Sequence, residues 1–144
     1  MSYYVYKQVI GQVFSRVEKD TDEDDSILFY VDGQSEPKYK LCHEQNCCEN
    51  VYIESITGDL SDLVGHPITM AEVVWKDNEP KHNEEYGYTD GSSTWTFIKF
   101  ATIKGYVDIR FYGTSNGYYS ESAHMYEKRD DDWYWSTLDT DKVG

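Results

Sequence analysis

The sequence predicts a mainly β protein: an antiparallel sheet, roll or sandwich with one short helix near residues 59–64, an α+β fold being the alternative. Short β-branched and aromatic runs are separated by Gly, Asn, Asp and Ser. Few windows longer than ten residues carry apolar residues at helical spacing. With 16% aromatic residues in a chain of 144, the sequence can form one core. We therefore expect a single domain over residues 1–144.

Alternating and continuous apolar runs predict eight strands. Each run is five to ten residues long and ends near a turn-forming residue. The predicted strands are residues 9–17, 27–31, 39–43, 51–56, 70–75, 94–103, 106–112 and 120–126. Asp32 and Gly33, a pair typical of tight hairpins, predict a turn between the second and third of them.

One helical connector is predicted at residues 59–64. Asp59 can cap its first turn, Gly65 can end it, and Pro67 follows just beyond. Acidic residues 18–25, polar residues 76–93 and the C-terminal residues 136–144 are expected to be flexible and exposed.

The charge of the chain excludes several partners. Thirteen Lys and Arg stand against 27 Asp and Glu, giving a formal net charge of −14. Such a molecule repels nucleic-acid phosphates and anionic membranes, so we expect neither as a direct partner. No run approaches the 18 apolar residues of a membrane span, and the N-terminus lacks the pattern of a signal peptide. These features predict a cytoplasmic protein.

The stretch "LCHEQNCCENVYIES" places several chemically active side chains in one turn. Its potential metal ligands are Cys42, His43, Cys47 and Cys48. Neighbouring strand residues face opposite sides, and no C-x2-C pair is present, so the spacing disfavours a metal site. Glu44 and Glu49 disfavour a reactive thiolate. We predict a structural corner without catalytic or metal-binding residues. Within it, the best candidates for polar contacts are His43, Glu44 and Gln45, and we assign His43 and Glu44 to ligand binding.

Two segments carry a resemblance to a known family. "HEQNCCENVYIESITGDLSDLVG" and "TWTFIKFATIKGYVDIRFYGTSNGYYSE" resemble an uncharacterised family of small phage and bacterial proteins with an H-E-Q-x-C-C-E signature. The resemblance covers roughly residues 26–126. It implies an accessory phage protein that acts in the cytoplasm of the infected cell, and it implies no reaction mechanism.

The predicted hairpin of residues 94–103 and 106–112 suggests an anion site. A two-residue turn at Lys104 and Gly105 pairs Ile103 with Tyr106, which sets Lys99 opposite Arg110 on the face away from the core. Aromatic side chains share that face, so it offers stacking surfaces and cations, as a nucleotide requires. The predicted contacts are Trp95, Phe97, Lys99, Tyr106, Arg110 and Tyr112, with Ser115 and Asn116 in the following glycine-containing loop.

These observations leave three functions open. The first is an anti-defence protein that binds and sequesters a nucleotide-derived immune signal of the host, without catalysis or a cofactor. The second is an acidic inhibitor that binds a basic, nucleic-acid-binding defence protein of the host. The third is a small hydrolase or metal-binding protein. Exposed strand edges and surplus aromatic residues further predict a homo-oligomer.

Overall fold

Most strands of the computed structural model belong to two antiparallel sheets. The model describes residues 2–20, 25–78, 82–83, 88–89, 91–115, 120–128 and 135–144. In chain order the strands are β1 (Tyr3–Val5), β2 (Arg16–Asp20), β3 (Ser26–Tyr30), β4 (Tyr39–Cys42), β5 (Asn50–Thr57), β6 (Met70–Asn78), β7 (His82–Asn83), β8 (Tyr88–Thr89), β9 (Ser92–Thr102), β10 (Gly105–Ser115), β11 (His124–Lys128), β12 (Trp135–Thr137) and β13 (Asp141–Val143). The mainly β prediction is confirmed.

Strand order separates a larger and a smaller sheet. The larger has six strands in the order β13-β1-β6-β9-β10-β5, and the smaller has five in the order β12-β11-β4-β3-β2. β7 and β8 form a separate two-stranded sheet. The long strands β6, β9 and β10 form the centre of the larger sheet, and β5 lies at its edge beside β10.

The core lies between the two sheets. Along β9, buried and more exposed residues alternate, as expected of a strand with one face on a core. The Phe100 ring of β9 contacts the Phe29 ring of β3 at 5.3 Å between centroids, joining the larger sheet to the smaller. β10 adds Val107, Ile109 and Phe111 to this face, so the apolar face predicted for the hairpin is confirmed.

The N-terminal part of the chain differs from its prediction. Residues 9–17 do not form one strand, because residues 7–11 turn and β2 begins at Arg16. Backbone hydrogen bonds from Val9 N–H to the Tyr6 carbonyl and from Gln12 N–H to the Val9 carbonyl hold this turn. Gly11 adopts φ of 92°, which favours glycine and interrupts an extended strand.

Three predicted loops contain strand residues. β2 extends to Asp20 and pairs with β3, β6 extends to Asn78, and the C-terminal residues supply β12 and β13. The predicted strand at 120–126 starts only at His124. Backbone pairing with partner strands, which composition does not reveal, holds these polar segments in the sheets. Residues 21–24, 79–81, 84–87 and 90, within two of the predicted loops, lie outside the described residues.

The predicted helix is a single 3₁₀ turn, Leu60–Leu63. As expected, the Asp59 side chain caps it, accepting a hydrogen bond from Ser61 N–H at 2.9 Å. β3 and β4 pair in antiparallel fashion across the predicted turn, where Gly33 adopts φ of 81°. In the described part of the chain, no helix has the length and apolar character needed to span a membrane.

Candidate ligand-binding groove and the buried histidine turn

The register of the β9–β10 hairpin corrects one prediction. Thr102 pairs with Gly105 and Ala101 with Tyr106, so the turn consists of Ile103 and Lys104. Lys99 therefore faces Asp108 rather than Arg110. The Thr102 hydroxyl fixes this turn, because it accepts a hydrogen bond from Lys104 N–H and donates to the Asp62 carbonyl.

Side chains of the hairpin still share the predicted faces. Moving the pairing by two residues leaves the side-chain alternation unchanged. Trp95, Phe97 and Lys99 of β9 therefore lie beside Tyr112 and Arg110 of β10, on the face away from the core. The predicted aromatic and basic face thus exists, although its two cations do not face each other.

This outer face of the larger sheet contains an open groove of about 340 Å³. It crosses β5, β6, β9 and β10, and its lining residues include Ser55, Glu72, Phe97, Lys99, Asp108 and Arg110. Lys99 lies between Glu72 of β6 and Asp108 of β10 in the sheet register. The groove therefore offers both positive and negative groups.

Arg110 is the central cation of the groove. Its guanidinium carbon lies 5.7 Å from the Trp95 ring centroid and 5.6 Å from that of Phe97, within the range of cation–π contacts. Glu54 Oε2 lies 3.5 Å from an Arg110 nitrogen, and Lys99 Nζ lies 3.8 Å from Asp108 Oδ1. Both cations thus have a carboxylate partner, but about half of each side chain is exposed to solvent.

Rings continue from Arg110 toward the edge of the sheet. Trp95 and Phe97 are stacked at 6.0 Å with an interplanar angle of 12°, and Trp95 lies 4.5 Å from the Tyr112 ring. Tyr52 on β5 extends this group, 6.2 Å from Tyr112. Tyr106 lies nearer the hairpin turn, where its ring is 5.4 Å from Lys99 Nζ. The result is a continuous aromatic surface beside the guanidinium.

Sequence reasoning missed Tyr52 and Glu54. Both lie on β5, whose alternation in "NVYIESIT" could have placed them on the outer face. Only the pairing of β5 with β10 shows that this face adjoins Arg110 and Tyr112. A bulge between Arg110 and Phe111 shifts the register there. Because the two strands are distant in sequence, a reading confined to one hairpin could not find this contact.

The remaining predicted contacts lie elsewhere. Ser115 ends β10, with its hydroxyl 3.2 Å from that of Ser92. Asn116 lies outside the described residues. His43 and Glu44 belong to the turn after β4 in the smaller sheet, where both line a second pocket. The structure therefore does not bring His43 and Glu44 into the groove.

His43 is a buried link between three segments. Its Nδ1 lies 2.8 Å from the Ser122 carbonyl oxygen, and its Nε2 lies 2.8 Å from Glu49 Oε2. Both partner atoms are oxygens, and the tautomer of the imidazole determines which ring nitrogen donates to them. The contact with Glu49 stays within the turn, and the contact with Ser122 ties the turn to the segment before β11.

Glu49 is the acceptor at the centre of this turn. Its carboxylate also accepts hydrogen bonds from the backbone N–H groups of Cys47, at 2.8 Å, and Asn46, at 3.1 Å. The Gln45 amide adds a further donor at 3.2 Å. Burial alone raises the pKa of Glu49, but the hydrogen bonds from Cys47, His43 and Asn46 outweigh it and lower the pKa to about 2.

This lowered pKa predicts acid sensitivity. Glu49 titrates at its ordinary value of 4.5 when unfolded and near 2 when folded, so the unfolded chain binds the proton more tightly. The stabilisation is complete above pH 4.5 and is lost as the pH falls toward 2. We expect the free energy of unfolding, measured by urea titration across this range, to fall more steeply in the wild type than in Glu49→Gln. Parallel curves would contradict the assignment.

The cysteines complete the turn. Cys47 and Cys48 are exposed and joined by a disulfide between adjacent residues, whereas Cys42 is buried and outside that bond. Over the residues that the structure describes, no group of three or more His, Cys, Asp or Glu side chains could hold a metal ion.

Together these features define a two-sheet β protein with an aromatic groove of mixed charge on its larger sheet. Residues 5–125 match a family described as a domain of unknown function, DUF7448. Because the match covers most of the chain, the protein belongs to this family. No curated protein and no solved structure matches the chain significantly.

Proposed function

We propose that the protein is a phage accessory protein that binds a nucleotide-derived immune signal in the host cytoplasm and sequesters it without catalysis. The observation that carries this proposal is the position of Arg110 beside the rings of Trp95 and Phe97 in an open groove. A base can stack on these rings while the guanidinium pairs with a phosphate. Tyr112 and Tyr52 add further ring surface beside them.

Binding requires Arg110 to exchange one anion for another. Its present partner, Glu54, lies at 3.5 Å in an exposed pair, which stabilises the fold by no more than about 1 kcal/mol. A phosphate can form two parallel hydrogen bonds with a guanidinium and so compete with that contact. Lys99 can make a similar exchange with Asp108.

The test is calorimetric titration of the purified protein with a panel of cyclic mono- and dinucleotides. We expect Arg110→Ala to weaken binding at least about tenfold, because a charge-assisted contact is lost. Arg16→Ala is a matched control: Arg16 also lies over a ring, Tyr30 at 3.8 Å, and beside a carboxylate, Glu18, but on the smaller sheet. Equal affinities of the two variants, or no binding to the panel, would refute the proposal.

Recovery of the ligand separates sequestration from hydrolysis. After heat denaturation of the complex, chromatography should return the nucleotide unchanged. A shortened or ring-opened product would instead favour the hydrolase alternative.

Charge favours the second candidate, an acidic inhibitor of a basic host protein. The formal net charge is −14, and Glu54, Glu72 and Asp108 surround the two cations of the groove. These carboxylates can pair with a basic partner surface. Replacing all three with their amides should abolish inhibition under this candidate and should leave nucleotide binding intact under the first.

A further inference from the structure

A second pocket, of about 220 Å³, lies in the smaller sheet. Its lining includes Lys40 of β4, Tyr126 of β11 and Trp135 of β12, with Glu44 and Gln45 contributed by the turn after β4. The His43 ring also lines it, but both ring nitrogens already contact Ser122 and Glu49. The available polar groups are therefore those of the other lining residues.

Lys40 is a half-buried cation without a carboxylate partner among the described residues. Its neighbours in the same sheet differ: Lys38 pairs with Glu127 at 3.1 Å and Lys128 with Glu36 at 2.5 Å. Lys40 Nζ instead lies 5.8 Å from the Trp135 ring centroid. A cation that lines a pocket and has no ion-pair partner among the described residues is available to an external anion.

Tyr126 supplies a hydrogen-bond donor to the same pocket. The residue is 7% exposed. Burial raises the pKa of Tyr126 to about 12, and nearby Cys42 and Glu44 add to that effect against a backbone hydrogen bond from Glu44. The phenol therefore keeps its proton at neutral pH. Tyr126 is the cross-strand partner of Lys40, and both residues line the pocket. A neutral hydroxyl and an ammonium group in one pocket suit an anion better than a cation.

We propose that this pocket binds a small planar anion, a flat ring that carries one carboxylate or phosphate group. The ring packs against Trp135, and the anionic group contacts Lys40 and Tyr126. Glu44 is exposed at the rim and repels a second negative group there. This site is independent of the groove, because none of its lining residues belongs to the larger sheet.

The test is an NMR titration of the ¹⁵N-labelled protein with benzoate and phenyl phosphate. Inorganic phosphate tests the anion alone, and benzamide tests the ring alone. We expect the amide signals of Lys40 and Tyr126 and the Trp135 indole signal to shift with benzoate or phenyl phosphate. Either probe should bind at least about tenfold more tightly than the two partial probes. The tighter of the two identifies the preferred anion.

Two variants make the assignment specific. Lys40→Gln keeps the length of the side chain and should weaken binding about tenfold or more, whereas Lys38→Gln makes the same charge change beside it and should not. Trp135→Leu tests the ring contact should Lys40→Gln fail to fold. The absence of shifts in the wild type, or equal affinity of Lys40→Gln and Lys38→Gln, would overturn the proposal.

Discussion

Replacing Glu49 with alanine is expected to destabilise the protein by about 3 to 5 kcal/mol, because each donor left unsatisfied in this turn costs about 1 to 3 kcal/mol. The Glu49 side chain is fully buried, and its Oε2 atom lies 2.8 Å from His43 Nε2. Its loss also leaves the backbone N–H groups of Asn46 and Cys47 without their acceptor. Urea unfolding followed by tryptophan fluorescence measures the change.

The neighbouring acid provides the control. Glu44 is exposed in the same turn, so Glu44→Ala should change the free energy of unfolding by less than about 0.5 kcal/mol. Glu49→Gln should be intermediate, because the amide keeps one acceptor but turns a donor toward groups that themselves donate. Similar stabilities of Glu49→Ala and Glu44→Ala would show that the turn does not depend on this carboxylate.

This turn illustrates what the sequence could not reveal. The acidic residues near the cysteines indicated that a reactive thiolate is disfavoured, and the corner was expected to be structural. That expectation named His43 as a ligand contact, whereas both of its ring nitrogens are used within the protein. The Nδ1 contact is to the carbonyl of Ser122, which lies 79 residues away in the sequence. A pattern of neighbouring residues cannot reveal a contact between such distant parts of the chain.

The faces of the β9–β10 hairpin, unlike the contacts of the histidine turn, could be predicted from the sequence. The inner and outer faces of β9 and β10 were predictable because side-chain alternation depends only on sequence parity. The register was wrong by two residues, since Lys104 and Gly105 have typical turn composition whereas the observed turn depends on Thr102 and the distant Asp62. Local alternation thus encoded the aromatic face, and a tertiary contact determined the pairing of its charges.

That pairing changes how the groove must be interpreted. Two facing cations would have created a local positive site in an acidic protein. Instead, Asp108 and Glu54 neutralise Lys99 and Arg110 in the free protein. Under the proposed function, a nucleotide would therefore gain its affinity from ring stacking together with charge exchange, so Trp95 and Phe97 should contribute as much as Arg110.

Substitution of Gly113 is expected to have the second large effect on the stability of the protein. Gly113 lies within β10, just beyond the end of the strand predicted for residues 106–112. A Cβ atom at this position would collide with the Glu121 carbonyl oxygen and lie 2.9 Å from Val51 Cγ2. Gly113 thus allows the segment before β11 to cross closely over the strand.

The direction of the stability change caused by Gly113→Ala tests whether the close approach of Glu121 requires glycine at this position. Gly113 has no positive φ, so without a clash Gly113→Ala should stabilise the protein by about 0.4 to 1 kcal/mol through the unfolded chain. We expect a destabilisation of about 1 to 3 kcal/mol instead, because the obstacle is backbone that cannot rotate away. Urea unfolding measures it, with Thr114→Ala on the same strand as control. Displacing Glu121 would also shift Ser122, whose carbonyl holds His43, so weaker acid sensitivity should accompany the loss.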